Sequence, residues 1–308
     1  MVILNSQNSQ LANRLWGFSS FIANSIEHNY PLVNLGFYKY RRYFEATQNN
    51  NFGNYSISLE RTGIGFLDYF YSNLFKNWVS ITHKTIGRTP TFHKFYCTKF
   101  NEDKKAILFD LNNVSFVKHA KNRKVLVHGW MFRDPINIRK HRDKIVHFFK
   151  PVEPYNTLVN LEIASAAKLA DVLVGVHIRR GDYATFLNGK WFYTDLQYAD
   201  KMHQLTQIYA KEGKSCVFIV CSNDAINLEN FTGLTLVYKP RHFMVDLYLL
   251  SKCDIIIGPP STFSQWAAFY GLKPLVMLLN GDQKLEMPRS NASLLPDLDF
   301  AEKMLYTF

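Results

Sequence analysis

The sequence predicts an α/β protein whose second half is a parallel, doubly wound sheet of Rossmann type. Apolar runs of strand length alternate with helical patterns from residue 172 to residue 278, and polar residues gather where those runs end. Strands that are apolar on both faces and separated by helices indicate a parallel sheet covered on both sides. In such a sheet, ligands bind beyond the carboxyl ends of the strands. The residues at the strand ends are therefore the functional candidates.

The first half is less regular. It opens with a predicted strand at residues 2–4 and a helix at residues 11–27, where apolar residues recur at helical spacing. The weaker predictions are strands within 55–59, 106–111 and 125–128, and a basic amphipathic helix over 137–149 that Pro151 ends.

The second half gives clearer elements. The predicted strands are residues 172–177, 216–221, 234–238, 254–257 and 275–278, and the predicted helices are 195–212, 243–252 and 261–270.

A domain boundary is predicted between the two halves, because Pro151 and Pro154 separate them. The first domain would cover residues 1–152 and the second residues 153–308, with a final helix that can pack back on the first domain. Residues 1–150 carry 22 Lys and Arg against 9 Asp and Glu, whereas residues 151–308 carry 14 against 16. A charge of +13 on the first half suggests that it faces a membrane surface, a phosphorylated acceptor or nucleic acid; a merely soluble basic surface is the alternative.

Composition narrows the class further. The 308 residues are 47% hydrophobic, which is enough for a full core, and the apolar runs are too short to cross a membrane. The first residues have neither the positive start nor the apolar stretch of a secretory signal, so a cytoplasmic protein is expected. The four cysteines, Cys97, Cys216, Cys221 and Cys253, have no Cys-x-x-Cys spacing and are interpreted as thiols, most of them buried.

The strongest signal follows the first strand of the second half. His177 and Arg179 project to the same side, because side chains alternate along a strand. An arginine fork at this strand end suits a diphosphate, which it grips through two hydrogen bonds. Two alternatives stay open: Arg179 pairs with Asp182 to brace a turn, or residues 180–182 form a surface adhesion tripeptide by chance.

Other strand ends carry further candidates. Ser222 or Asp224 could cap a following helix. Asp246 is the single acid in an apolar helix, which is costly unless it caps locally or receives hydrogen bonds from a ligand. Two prolines precede a helix start whose hydroxyls and backbone N–H groups form a second phosphate cradle, against the alternative of simple capping by Ser261. The hydroxyl residues are Ser261, Thr262 and Ser264.

Residues 177–183, His-Ile-Arg-Arg-Gly-Asp-Tyr, resemble the His-x-Arg-Arg-x-Asp-Tyr motif of the α-1,2-fucosyltransferases of glycosyltransferase family 11. Residues 218–224 look like that family's Phe-x-x-x-Ser-Asp-Asp motif. Residues 246–268 look like its Asp-Leu-x-Leu-Met-x-x-Cys and Ser-Thr-Phe-Ser-Trp-Trp-Ala-Ala segments, with Gln265 in place of the first tryptophan of that pair. The family's glycine-rich opening, Gly-Gly-x-Gly-Asn-Gln, appears here as Ser-Gln-Leu-Ala-Asn-Arg at residues 9–14. The likeness covers residues 125–280, so the donor half looks intact while the acceptor half has diverged.

The resemblance implies two Rossmann-like domains facing one cleft, the GT-B arrangement, with GDP-fucose held by the second. Arg179 would grip the β-phosphate and stabilise the charge on departing GDP. His177 and Asp246 would contact the nucleoside, with Asp246 reading the guanine edge, and Asp182 is the nearest candidate base. The other implied donor-binding residues are Arg180, Ser222, Asp224, Ser261, Thr262 and Ser264, and the implied acceptor-side or sugar-side residues are Asn13 and Arg14.

The implied reaction inverts the sugar and joins fucose to a glycan hydroxyl, in an α-1,2 linkage to galactose. No cofactor and no metal are implied, because an arginine neutralises the leaving group; the Asp-x-Asp at residues 297–299 is interpreted as a helix cap. Alternatives are another GDP-sugar, a lipid-linked acceptor at the inner membrane face, and a catalytically silent module that binds a nucleotide sugar. Nucleic acid is not an expected partner, because the sequence has no recognisable motif for it.

Overall fold

The computed structural model describes residues 1–4, 10–59, 64, 66–67, 70, 74, 92–96, 109–128 and 132–285. The chain folds into two compact units that divide between Val152 and Glu153. Each unit contains a five-stranded parallel sheet. The predicted class, α/β with two Rossmann-like halves, is confirmed.

The sheet of the first unit has the strand order β3-β2-β1-β6-β4. In its centre, Val2 of β1 lies beside Leu32 of β2 and Val125 of β6. The elements are β1 Val2–Leu4, α1 Leu11–His28, β2 Leu32–Asn34, a 3-10 helix Leu35–Tyr43, α2 Glu45–Gln48, β3 Ile57–Ser58, β4 Phe92–Tyr96, β5 Phe109–Asp110, α3 Val114–Asn122, β6 Lys124–His128, β7 Phe132–Arg133, α4 Pro135–Lys140 and α5 Arg142–Phe148.

Aromatic rings fill the core of the first unit. Phe18 of α1 lies 5.3 Å from Phe37, 6.0 Å from Phe52 and 5.8 Å from Phe149, measured between ring centroids. Phe44 completes this group, 5.4 Å from Phe149. The aromatic residues that obscured the helical and strand patterns of this half are therefore its packing material.

A buried polar cluster joins α1 to the segment that enters α4. The Asp134 carboxylate accepts hydrogen bonds from Asn24 Nδ2 at 2.7 Å, Asn112 Nδ2 at 2.8 Å and Asn137 Nδ2 at 2.8 Å, and from the Asn137 backbone N–H at 3.0 Å. Tyr30 donates to the Asn24 side chain at 2.8 Å. All four donors to this carboxylate among the described residues are amide groups, so hydrogen bonds from neutral groups satisfy the buried acid.

The elements of the second unit are α6 Glu153–Ala166, β8 Val172–Ile178, short 3-10 helices Gly181–Ala184 and Phe186–Gly189, α7 Asp195–Ala210, β9 Cys216–Ser222, a 3-10 helix Leu228–Phe231, β10 Leu236–Val237, α8 Phe243–Lys252, β11 Ile255–Gly258, α9 Thr262–Gly271 and β12 Leu275–Met277. Its sheet has the strand order β10-β9-β8-β11-β12. Numbered along this unit, the order is 3-2-1-4-5, which matches the first five positions of the doubly wound Rossmann order.

Close packing fixes the centre of this sheet. A Cβ on Gly175 of β8 would lie 2.9 Å from Leu250 Cδ2 and 3.1 Å from Cys253 Sγ, so only glycine fits without movement. Cys216, Cys221 and Cys253 are buried free thiols, as predicted. Burial raises the pKa of Cys216 to about 11 and that of Cys253 to about 12.

One helix prediction is wrong, and one helix was not predicted. The helix expected over residues 137–149 is two helices, α4 and α5, which meet at His141, whose ring Nε2 lies 2.9 Å from Glu27 Oε2 of α1. The helix that was not predicted, α6, begins at Glu153 and Pro154, because proline is tolerated in the first turn of a helix. The five strands predicted for the second half are confirmed within two residues at each end.

Among the described residues, no helix is long and apolar enough to cross a membrane. Within the same part of the chain, no three His, Cys, Asp or Glu side chains are grouped closely enough to hold a metal ion. Cys97, Gly129, Trp130, residues 297–299 and the expected final helix lie outside the described residues.

Candidate active site

The candidate site lies where the direction of strand addition reverses. From β8 the chain adds β9 and β10 on one side, and then crosses back to place β11 on the other side of β8. The loops after β8 and β11 therefore leave the sheet in opposite directions and open a crevice between them. The motif at residues 177–183 begins at the end of β8, and residues 258–264 follow from the end of β11.

His177 is buried near the end of β8, against the first turn of α9. It is 4% exposed, and its ring lies 5.1 Å from that of Phe263. Burial, together with the nearby Arg179, lowers the pKa of His177 to about 3, so the imidazole is neutral at working pH. Its Nδ1 atom is buried without a hydrogen-bond partner among the described residues. A buried ring nitrogen without a partner is a candidate contact for a ligand.

Gly258 allows β11 to approach this histidine. A Cβ at Gly258 would lie 2.9 Å from both the Cβ and the carbonyl oxygen of His177. Any other residue would therefore push the two strand ends apart at the crevice.

Arg179 lies on the loop that follows β8. Its Nη2 donates to Asp182 Oδ1 at 2.6 Å, and its guanidinium lies 5.4 Å from the centre of the Tyr183 ring. The Tyr183 hydroxyl donates to the Pro260 carbonyl at 2.6 Å, which ties the loop after β8 to the loop after β11. The Asp182 side chain is 60% exposed. The turn-bracing contact considered above is thus present, on an acid that is open to solvent.

Arg180 points elsewhere, although it was predicted to bind the donor. Its guanidinium donates to the Tyr193 carbonyl and to the Asp195 carboxylate at the start of α7. Its backbone N–H donates to Asn223 Oδ1 at 2.7 Å. These contacts give Arg180 a structural role, which is to fix the loop after β8 against α7 and β9.

The end of β9 differs from its prediction as well. Ser222 Oγ accepts from the Asp224 N–H at 3.3 Å, and Asp224 Oδ1 accepts from the Ala225 N–H at 2.8 Å. Neither residue caps a helix, because the next helical segment, Leu228–Phe231, is capped by Asn227. Both remain predicted donor contacts.

Beyond β11, the start of α9 presents a helix N-terminus to the crevice. Ser261 caps it, with Oγ accepting from the Phe263 N–H at 3.2 Å, and the buried Ser264 donates to the Ser261 carbonyl at 3.2 Å. Thr262 is half-buried at the first position of the helix. Two of the three predicted hydroxyls therefore shape the helix start, while the N–H groups of its first turn favour an anion.

Asp246 lies in the first turn of α8, buried, with its Oδ1 lacking a hydrogen-bond partner among the described residues. Arg241 Nη1 is 3.7 Å from that oxygen. Sequence reasoning missed Arg241, because a basic residue beside a proline in a predicted loop normally lies in solvent. Asp246 is consequently one member of a buried charged group rather than a lone acid.

The two candidates in the first unit lie at the start of α1. The Arg14 guanidinium donates to the Gly36 carbonyl and lies 5.2 Å from the centre of the Tyr40 ring, and burial lowers its pKa. Asn13 is half-buried in the same turn. Residue 9, which precedes them in the family-like opening, lies outside the described residues.

The strand order, and the hydrogen bond that ties the Arg179 loop to the loop before α9, define the second unit as a Rossmann-type domain with a candidate anion site at its switch point. The chain belongs to glycosyl transferase family 11, whose model matches residues 72–293. The predicted family is therefore confirmed.

Two curated relatives are similar to parts of the chain. The O-antigen biosynthesis glycosyltransferase WbnK of Escherichia coli is 31% identical over 150 residues, which cover 45% of this chain and 48% of WbnK. Galactoside alpha-(1,2)-fucosyltransferase 1 of Oryctolagus cuniculus is 24% identical over 185 residues, which cover 55% of this chain and 48% of that protein. The chain spans about half the length of these relatives.

A solved structure extends the likeness in fold. A FUT1 variant of Arabidopsis thaliana in complex with GDP aligns with a TM-score of 0.58 at 16% identity, covering 94% of this chain and 70% of that one. This similarity concerns the fold, and it includes both units.

Proposed function

We propose that this protein is a fucosyltransferase that transfers fucose from GDP-fucose to a glycan hydroxyl. The finer proposal is an inverting, metal-independent reaction that forms an α-1,2 linkage to galactose. The supporting observation is the hydrogen bond from Tyr183 to the Pro260 carbonyl, which ties the loop that carries Arg179 to the loop before α9 at the switch point of a Rossmann-order sheet, in a chain of family 11. The name of one curated relative, galactoside alpha-(1,2)-fucosyltransferase 1, supports this choice of sugar and linkage.

The proposed reaction breaks the bond between C1 of fucose and the β-phosphate oxygen, and forms a bond from C1 to the acceptor oxygen. Negative charge then builds on the departing diphosphate. Arg179 is suited to meet it, because its present partner, Asp182, is largely solvated and holds the guanidinium only weakly. The N–H groups of α9 add a second positive electrostatic contribution.

The acceptor proton leaves to Asp182 or to water. When Arg179 turns to the diphosphate, Asp182 loses its ion pair and becomes a better proton acceptor. A strong base is not required if the transition state has oxocarbenium character. Asp182 is thus the proposed base, and its removal should cost less activity than removal of Arg179.

The location of the reaction is also a proposal. We place the protein in the cytoplasm, with the basic first unit in peripheral contact with an anionic membrane surface. Exposed Lys118, Lys121 and Arg123 on and after α3 support this placement. An acceptor carried on an anionic lipid would fit the same charge.

The first test is calorimetric titration with GDP, UDP and GDP-fucose in the presence of a chelator. Selective, micromolar binding of the guanosine ligands is expected, followed by transfer of labelled fucose to a terminal β-galactoside and assignment of the linkage by NMR. Binding without any transfer would identify a silent nucleotide-sugar module instead. If none of the three nucleotides binds, the proposal fails.

A further inference from the structure

A buried arginine that the proposed reaction does not use lies beside Asp246. The side chain of Arg241 is 2% exposed, and the residue lies in the segment between β10 and α8. Its Nε donates to Glu162 Oε2 of α6 at 2.7 Å, and its Nη1 donates to the Val220 carbonyl at 3.0 Å. Its Nη2 has no partner among the described residues. Glu162 therefore holds a cation whose remaining donor capacity is unused.

This cation is directed at Asp246. Arg241 Nη1 lies 3.7 Å from Asp246 Oδ1, which is close enough for an ion pair but too far for a good hydrogen bond. That Asp246 oxygen has no other partner among the described residues. Arg241 thus offsets the charge of the carboxylate while Oδ1 stays open to accept a hydrogen bond from a ligand.

Three groups act on the charge of Asp246. Burial raises its pKa to about 6, Arg241 opposes that rise, and Glu162 adds to it; the Cys221 thiol on β9 also lowers it through a hydrogen bond. Arg241 is the only cation among them. Without Arg241, the carboxyl group would be largely protonated near neutral pH.

We propose that Arg241, fixed by Glu162, is a positioning residue that keeps the Asp246 carboxylate ionised and open, and thereby selects a guanine nucleotide. This inference rests on the proposed function, in which Asp246 meets the base of the donor. Guanine presents an N–H and an NH2 donor on one edge, and an ionised carboxylate accepts both. A protonated carboxyl presents a donor of its own to that edge and loses the match.

The experiment measures two quantities across pH 4.5 to 9. One is the 13C shift of the Asp246 carboxyl in protein labelled at aspartate, assigned with Asp246→Asn. The other is the affinity for GDP and UDP by calorimetry. The variants are Arg241→Met, Arg241→Lys and Glu162→Gln. The matched control is Lys239→Met, which removes the exposed second cation from Glu162, 2.9 Å away, without touching Asp246.

In the unaltered protein, GDP affinity should fall about tenfold per pH unit below the Asp246 midpoint near pH 6. Arg241→Met should raise both midpoints by about 1 to 3 pH units, the range that an adjacent opposite charge produces. At pH 7 this weakens GDP by about 2- to 90-fold, depending on the size of the shift, and leaves UDP nearly unchanged. Arg241→Lys should raise the midpoints less than Arg241→Met does. Glu162→Gln should lower them, because glutamine keeps an acceptor for Arg241 Nε and removes the negative charge that raises the Asp246 pKa.

If Arg241 has only a structural role, the Arg241 variants should be less stable while both midpoints stay unchanged. That result overturns the inference. Unchanged midpoints in both Arg241→Lys and Glu162→Gln would do so even if Arg241→Met does not fold. The carboxyl titration needs no ligand. A protein that shows the predicted carboxyl shifts but binds no GDP would therefore contradict the proposed function and not the Arg241–Asp246 coupling.

Discussion

Replacing Arg180 with alanine should destabilise the second unit by about 3 kcal/mol, whereas replacing its neighbour Arg179 should cost about 1 kcal/mol. The two residues are adjacent in the sequence and carry the same charge. They differ in their surroundings, since Arg180 bonds to a buried carbonyl and to the largely buried Asp195, and Arg179 pairs with the exposed Asp182. The pair thus separates stability from activity.

The magnitude for Arg180 follows from its contacts. Breaking one side of a buried ion pair costs about 3 to 5 kcal/mol. We take the lower end, because Asp195 keeps a hydrogen bond from the Asn227 N–H at 2.9 Å and is 14% exposed. For Arg179, whose own side chain is 16% exposed but whose partner Asp182 is 60% exposed, the ion pair contributes about 1 kcal/mol or less, but loss of its charge from the leaving group should reduce kcat by about 10²- to 10³-fold.

Urea denaturation followed by tryptophan fluorescence measures the first quantity, because Trp191 and Trp266 are buried in the second unit. Arg180→Ala should lower the midpoint at an unchanged slope. Fucose transfer from labelled donor measures the second quantity at a temperature where both variants are folded. Equal destabilisation by the two variants, or full activity in Arg179→Ala, would refute the reasoning.

Three further predictions concern single positions. Gly258→Ala should lower the stability by about 1 to 3 kcal/mol and weaken GDP binding, because the new Cβ would collide with His177. The control is Gly17→Ala, whose Cβ would have nothing within 4 Å and which should instead stabilise α1. Equal shifts of the two variants in thermal melts would contradict this account. Asp134→Ala should destabilise the first unit by about 3 kcal/mol or more, as amide donors lose a charged acceptor; a loss below about 1 kcal/mol by urea denaturation would show that water replaces it. Burial raises the pKa of Asp246 to about 6 in the folded state, so the cost of ionising it in place is absent below pH 4 and complete above pH 6. The free energy of unfolding should therefore fall by about 3 kcal/mol between pH 4 and pH 6, relative to that of Asp246→Asn. If the free energies of the two proteins change with pH in the same way, the prediction is wrong.

The second unit could be predicted well from the sequence because its local signals agree with its tertiary environment. Its central strands are apolar on both faces and its helices have clear ends, so α8 was predicted at its observed bounds, Phe243–Lys252. The contact between the loop after β8 and the loop after β11, made by Tyr183 and Pro260, also fits the predicted parallel sheet, since parallel strands bring their carboxyl ends to one edge.

Other features depend on long-range contacts that no local pattern carries. Arg180 looks equivalent to Arg179 until α7 supplies Asp195 as its partner, 15 residues further along the chain. Arg241 becomes buried because Glu162, 79 residues earlier, accepts its hydrogen bond. In the first unit, the 3-10 helix Leu35–Tyr43 was not predicted, because its apolar residues do not follow an α-helical period. Phe37 of this segment packs instead against Phe18 of α1 and against Phe149, which follows α5.

The three buried thiols of the second unit can report when that unit opens locally. Cys216 and Cys221 lie on β9, and Cys253 follows α8 against Gly175 of β8. Because a thiol reacts as its thiolate and burial raises all three pKa values, alkylating reagents can reach these groups only when the sheet separates. Their labelling rates would therefore measure how often the strands that carry the candidate site open locally, and a bound nucleotide should lower those rates.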